Sequence, residues 1–360
     1  MFFTKRKALI LIIICSIFFI LTYNDVRSEE IKEISGNAQI IDGDTIKINS
    51  KKIRLYGIDA PEFKQMCKKP YLTIVFFTFT KDYPCGKIST QKLQKKINNK
   101  VITCKILDID RYKRLISRAR KSTILMDGAT GTEAERRGVP QLKNAWNGGA
   151  ALSNPDILRD IHEDYIRCGA EIIISNTFAN SKHALEDAGE VHNFISYNKT
   201  GVKIAIEARD NLSKTDVLVA GGISYWTWIG RKPTLSQLKE SVEEQAKVMA
   251  SSGADFLILE MMIDIEQMLV TLNAAKTAGL PIWVGLSCIL NDKGNLCLED
   301  GDLLSDAISV LSSDDIDAIH IMHTEIENVL PSLKVLKSSW NGLIGVYPNS
   351  STYANFEDLK

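Results

Sequence analysis

Beyond residue 121 the chain alternates short apolar runs with stretches of helical period, and the runs come seven times. They are 124–128 (ILMDG), 170–178 (AEIIISNTF), 217–224 (VLVAGGIS), 254–262 (ADFLILEMM), 281–288 (PIWVGLSC), 317–324 (DAIHIMHT) and 342–348 (GLIGVYP). Each closes on polar, glycine or acidic residues and most lead into a helix, which predicts successive parallel strands. The pattern predicts an α/β domain over residues 122–360, a (βα)8-type barrel lacking the last strand. One helix is predicted after Asn154-Pro155, with Leu158, Ile161, Tyr165 and Cys168 on one face and Gly169 at its end. His162, near that face, reads as a structural histidine.

Upstream the period is two. Residues 36–49 (GNAQIIDGDTIKIN) predict two strands meeting at the turn Asp42-Gly43-Asp44-Thr45, and 52–58 (KIRLYGI) a third. A helix is predicted over 89–97, then short strands over 101–106 and 114–117. This order predicts an all-β OB-type barrel with one helix over residues 29–121. Residues 1–28 belong to neither domain. Lys5, Arg6 and Lys7 precede an apolar run from Ala8 to Leu21, and Val26-Arg27-Ser28 offers a cleavage point. They read as a signal peptide, leaving no stable membrane span after cleavage, with an uncleaved anchor as the alternative.

Charge sharpens this division. Residues 1–121 hold 25 Lys/Arg and 11 Asp/Glu, a net of +14, while residues 122–360 hold 19 and 33, a net of −14. The basic part suits a polyanion such as nucleic acid; the acidic part suits an ordinary enzyme. In an exported basic domain Cys67 and Cys85 are candidates to pair, which leaves Cys104 odd. Cys168, Cys288 and Cys297 read as buried free thiols.

The strand ends of the basic part suit phosphodiester cleavage. Asp44 and Asp59 can hold a hard cation such as Ca²⁺ against a phosphate. Glu62 can take a proton from water, and Arg54 and Arg114 can clamp the charge developing on phosphorus. The motifs IDGDTIKI, IRLYGIDAPE and DIDRYKR resemble the thermonuclease-like (micrococcal nuclease) family. The resemblance implies metal ligands at Asp44 and Asp59, a general base at Glu62 and phosphate clamps at Arg54 and Arg114. Lys113 stands where that family usually has Gly. The likeness stops near Arg118, with Ala119 where secreted relatives carry a cysteine, so a truncated nuclease is expected.

In the acidic part Asp127, at the first strand end, precedes small residues that let a backbone approach a ligand. Ser175-Asn176-Thr177-Phe178 ends the second strand with hydrogen-bonding groups. Glu260 ends the fourth strand in an apolar run, where a carboxylate needs a substrate amine or a helix N-terminus as partner. ILMDGATGTEAERRG, GAEIIISNTFANS, LVAGGIS, GADFLILE and GLIGVYPNSS resemble the homocysteine S-methyltransferase family. The resemblance implies Zn²⁺ on the homocysteine sulfur, and Asp127 and Glu260 on its amino group with Gly128, Ser175 and Thr177 nearby. His323 falls where the family has its first zinc-binding cysteine. The family's Cys-Cys pair would lie beyond Lys360, so an incomplete zinc site and impaired turnover are expected. The methyl donor is not legible in the sequence: S-adenosylmethionine, S-methylmethionine and a betaine-like compound stay open.

Two readings of the whole stay open. One is a fusion of a truncated nuclease module with a truncated methyltransferase barrel. The other is a join of two unrelated coding fragments, since the junction at 118–122 has no Pro/Gly/Ser spacer. The signal predicts an exported protein, whereas the barrel alone belongs in the cytoplasm. The alternative function is a secreted nuclease, or a nucleic-acid-binding module without turnover, beside an inactive barrel.

Overall fold

The computed structural model describes residues 33–349 apart from 50, 56, 57, 59, 75, 76, 106–110 and 227–231. Contacts divide the chain into two units, Met1–Ile109 and Asp110–Lys360. The expected signal peptide lies outside the described residues, and no helix among those described is long and apolar enough to cross a membrane.

The first unit is a small antiparallel β region. β1 (Glu33–Asn37) is followed by the meander β2 (Gln39–Ile40), β3 (Thr45–Ile48) and β4 (Lys51–Arg54). A hairpin of β5 (Cys67–Ile74) and β6 (Phe77–Tyr83) leads into helix α1 (Cys85–Ile97), and β7 (Val101–Lys105) returns to pair with β1. Ile46, Ile48 and Ile97 form its core. The Cys67–Cys85 disulfide joins the start of the hairpin to the start of α1. The sequence reading places no strand here, and Pro70 is a residue type that sits poorly inside one. The structure puts Pro70 beside a register shift, where a missing N–H costs the ladder little.

The expected strand over 114–117 does not form. Those residues lie in helix α2 (Arg111–Ala119), which belongs to the second unit. There follow α3 (Thr130–Arg136), α4 (Ala150–Ser153), α5 (Pro155–Arg167) and β8 (Ile172–Ile174). Next come α6 (Lys182–Ala188), α7 (Phe194–Asn211), β9 (Leu218–Ile223), α8 (Leu235–Ser252) and β10 (Phe256–Met262). The unit continues with α9 (Ile265–Ala275), β11 (Ile282–Leu286) and a small hairpin, β12 (Cys288–Leu290) with β13 (Leu296–Leu298). It ends with α10 (Leu304–Leu311), β14 (Ala318–Glu325), α11 (Ile326–Ser339) and β15 (Leu343–Asn349).

Six strands form one parallel sheet in the order β15-β14-β11-β10-β9-β8, and Met126 adds a seventh position by a parallel bridge to Ile172. This is an open, half-barrel version of the TIM-like fold. Both faces are buried along β8–β11 and most of β14, whereas the edge strand β15 leaves Ile344 and Val346 exposed. Ile172, Leu218, Phe256, Ile258, Trp283 and Met322 point inward, while Ile173, Val219, Leu257, Leu259, Val284 and Ile319 pack on the helices. Helix starts follow local chemistry: Thr234 and Gln237 form a capping box for α8, and Asp264 caps α9. Cys168, expected on the buried face of α5, is exposed just past its end.

The inward face is closed below by α2. Tyr112 and Leu115 join the inner cluster as a plug in the barrel base, and the Tyr112 ring packs at a tilt against Phe256 at 5.5 Å and Trp283 at 6.5 Å. Four strands are preceded or begun by an acid, and α2 meets each. Arg118 pairs with Glu171, Arg114 with Asp216 at 2.9 Å and Arg111 with Asp255 at 2.9 Å. The Tyr112 hydroxyl donates to Asp317 at 2.7 Å and accepts from the Trp283 indole at 2.8 Å.

Candidate active site

The C-terminal ends of the barrel strands gather the residues singled out in the second part of the sequence. Asp127 is 5% exposed, and its Oδ2 accepts from the Ile174 N–H at 2.7 Å. Its other oxygen, Oδ1, has no partner among the described residues. Burial, with Glu260 adding like charge, holds its carboxyl well above the usual range. Glu260 follows Phe256 and Ile258 on the inward side of β10. It is equally buried, with Oε1 unpartnered and Oε2 3.6 Å from His323 Nε2.

Small residues make this approach possible. A methyl group on Gly222 would lie 2.3 Å from Glu260 Oε1, and one on Gly128 would lie 2.7 Å from the Tyr165 hydroxyl. Ser175 and Thr177 share a 2.9 Å hydroxyl bond, and Thr177 donates to the Gly222 carbonyl at 2.8 Å. These two hydroxyls therefore fix the loop after β8. Gln245 of α8 donates to the Thr177 carbonyl from behind.

His323 reaches the mouth through a bulge. Strict alternation after Ala318, His320 and Met322 would send residue 323 outward. Its φ of 50° and a register shift between Met322 and Glu325 turn it back in. Its ring lies 5.5 Å from Phe178 and 5.8 Å from Tyr347. Tyr347 and Tyr165 are rim residues that the sequence reading did not assign. Burial and the Asp127 carboxylate push the Tyr165 hydroxyl up to about 12. Burial, Asp127 and Glu260 hold Tyr347 above its ordinary range. The β15 motif carried Tyr347, but nothing in it separated a rim tyrosine from a core one.

The described residues do not make up a zinc site. His323 stands among carboxylate and rings, and no three His, Cys, Asp or Glu side chains group as metal ligands among the described residues. Cys288 packs in the helix-side core and burial raises its thiol to about 11. A cavity of about 470 Å³ lined by Tyr112, Lys113, Ile116, Ser117, Arg120 and Asp317 lies at the strand N-terminal end, away from these groups.

In the first unit Asp42 and Asp44 are buried at 4% and 3% exposure. Burial opposes ionisation of Asp44. The Thr45 hydroxyl, the Ala60 N–H at 2.9 Å and Arg54 at 3.5 Å outweigh it, leaving the carboxyl below its usual range. Desolvation, with Asp42 and Asp44 nearby, raises Glu62. These carboxylates do not group as a set of metal ligands among the described residues. Asp59 lies outside the described residues. Arg114 sits on α2 of the second unit, bound to Asp216.

Fold and rim together define an open barrel protein whose mouth holds two buried carboxylates, Asp127 and Glu260. The chain belongs to the homocysteine S-methyltransferase family, whose profile matches residues 124–358. A second profile, the Staphylococcal nuclease homologue, matches residues 52–122. The chain is 25% identical to homocysteine S-methyltransferase 1 of Zea mays over 66% of its own length and 79% of the maize protein. It is 29% identical to betaine–homocysteine S-methyltransferase 1 of Rattus norvegicus over 44% of this chain, and spans 39% of the rat protein. The metallated homocysteine methyltransferase MmuM of Escherichia coli superposes with a TM-score of 0.57, at 23% identity. That match covers 68% of this chain and 90% of MmuM, and at such identity it is a likeness of fold.

Proposed function

We propose that the barrel holds homocysteine by its amino-acid end at the strand C-termini and presents the thiol for methylation to methionine. The observation that carries this reading is the pair of buried oxygens, Asp127 Oδ1 and Glu260 Oε1, unpartnered among the described residues. An ammonium offers three donors and one positive charge, which satisfies both oxygens and offsets their repulsion. Ser175 and Thr177 keep the adjoining loop fixed, and the rings of Phe178, His323 and Tyr347 border the mouth. In the transfer the sulfur lone pair forms the new S–CH₃ bond. The donor's methyl bond to a positive sulfur or nitrogen breaks, and the thiol proton is released. A sulfonium or quaternary ammonium donor suits this step because its leaving group departs neutral; the rat relative is named for betaine.

Titration calorimetry of L-homocysteine tests the reading. Asp127→Asn or Glu260→Gln should weaken binding roughly 30-fold or more, as expected for removing one partner of a desolvated charge pair. The des-amino thiol, 4-mercaptobutyrate, should not bind. Equal affinity for both ligands would sink the proposal. For the first unit the reading is contact with nucleic acid, a cation such as Ca²⁺ resting at Asp44. Export through residues 1–28 completes it, and fractionation of a C-terminally tagged chain tests that point.

A further inference from the structure

Among the described residues, the β5–β6 ribbon of the first unit pairs with no other strand. Residues 68–71 and 78–82 are all exposed, so both faces of the ribbon meet solvent. A two-stranded ribbon is marginal in water by itself, and the Cys67–Cys85 disulfide ties this one to α1. Its charges are segregated along its length. Lys68 and Lys69 stand opposite Asp82 and Lys81 at the tied end, whereas residues 71–80 (YLTIVFFTFT) carry no charge. Side chains alternate between the faces of a strand, so Phe79 shares a face with Lys81 and with Lys69 across from it. The Tyr71 ring lies 6.5 Å from the Phe79 ring, on that same face. Thr78, Thr80 and Asp82 take the alternate positions. Two features here are unfavourable in water. Tyr71 and Phe79 leave their rings 63% and 47% exposed, and Lys69 and Lys81 are like charges directly opposite each other.

We propose that the β5–β6 ribbon is a membrane-surface anchor: its aromatic face enters the headgroup–acyl boundary of a leaflet while Lys69 and Lys81 contact anionic headgroups. Such a surface removes the rings from water and places negative charge between the two ammonium groups. From Lys81 to Phe77 the ribbon advances four residues, about 14 Å at the usual rise, against a hydrocarbon core of about 30 Å. It therefore rests in one leaflet and does not span, which keeps its backbone edges near hydrated headgroups. Single-stranded nucleic acid fits less well. Base stacking calls for rings set beside cations along the strand, and 72–75 (LTIV) offers neither.

The test is hydrogen exchange of the full chain, read in peptides covering 71–80, with vesicles of phosphatidylcholine alone or mixed with phosphatidylglycerol. Exchange should slow with the mixed vesicles only. Because the readout is local, attachment through residues 1–28 does not imitate it. Phe79→Ser should lower the protection tenfold or more, the worth of a buried Phe side chain, and Lys69→Gln should lower it about fivefold. Both side chains are exposed, so neither change touches the core formed by Ile46, Ile48 and Ile97. Absence of protection by either vesicle would overturn the anchor, and equal protection by both would overturn the role of the lysines. Protection by a single-stranded DNA oligonucleotide and not by vesicles would assign the surface to nucleic acid. Protection that grows with protein concentration in the absence of lipid would assign it to a second copy of the chain. Either result overturns the proposal.

Discussion

Replacing Tyr112 by Phe removes one oxygen and keeps the ring, so it isolates the polar half of the plug. The Tyr112 hydroxyl accepts from the Trp283 indole at 2.8 Å and donates to Asp317 at 2.7 Å. Trp283 is 3% exposed, so its N–H would lose its acceptor out of reach of bulk water. A buried donor left unsatisfied costs about 1–3 kcal/mol, and a hydrogen bond to a charged group contributes about 1.5–3 kcal/mol. Asp317 is only partly buried and recovers some of this from water. The expected loss is about 3 kcal/mol, which in a domain of this size lowers the melting midpoint by roughly 6–12 °C. All five tryptophans lie beyond residue 121, so their fluorescence follows the barrel alone. Urea titration should show a lower midpoint with unchanged slope. A thermal shift under about 1 °C would mean that water reaches the Trp283 N–H and that α2 does not seal the base.

Further outcomes follow from the rim and the buried histidines. Gly222→Ala should weaken homocysteine binding tenfold or more in the same calorimetry, because its methyl would stand 2.3 Å from Glu260 Oε1; unchanged affinity would show that Glu260 makes no contact with the ligand. His162 and His320 are buried and held neutral, each lowered by desolvation from 6.5 to about 4. An unfolded histidine takes up its proton first, so this stability is present at neutral pH and lost as pH falls from about 6.5 to 4. The loss is about 2 kcal/mol per histidine at pH 5. Urea midpoints at pH 7 and pH 5, with His320→Phe retaining less of the drop than wild type, check it. Asp127 has the opposite sign: its folded value is raised above 3.8, so its contribution is lost as pH rises through the folded value. Asp127→Asn should therefore gain stability relative to wild type as pH rises from 3.8 toward the raised folded value, and a difference that does not change with pH would refute the raised value.

Much of the barrel was legible because its signals are local. Runs buried on both faces and glycine- or acid-ended strands give the seven positions to within a few residues, and Glu260 stands out as a charge in an apolar run. The inward turn of His323 was not legible, since a bulge depends on the neighbouring strand and not on the residue itself. The plug was written in the sequence and misread. Tyr112, Leu115 and Ile116 recur at helical spacing, as do Arg111, Arg114 and Arg118, yet 114–117 reads as a short fifth strand that completes an OB-type order. The partner acids lie up to 205 residues away, so no local pattern pointed to them. In the small unit the β5–β6 hairpin went unread, and its tolerance of Pro70 depends on where the register slips.

The position of the plug bears on how the barrel is made. During synthesis α2 leaves the ribosome before any strand of the sheet exists, and the last of its partners, Asp317, follows 205 residues after Tyr112. Until then a short basic helix, with an aromatic and two aliphatic side chains on one face, has nothing native to dock on. Contacts this far apart in sequence close slowly because the loop between them must first be ordered. The barrel floor is thus the first part translated and among the last to be completed. In that interval the nascent chain presents a cationic amphipathic segment to whatever surrounds it, which makes the base of the barrel the natural point at which folding is delayed or a chaperone engages.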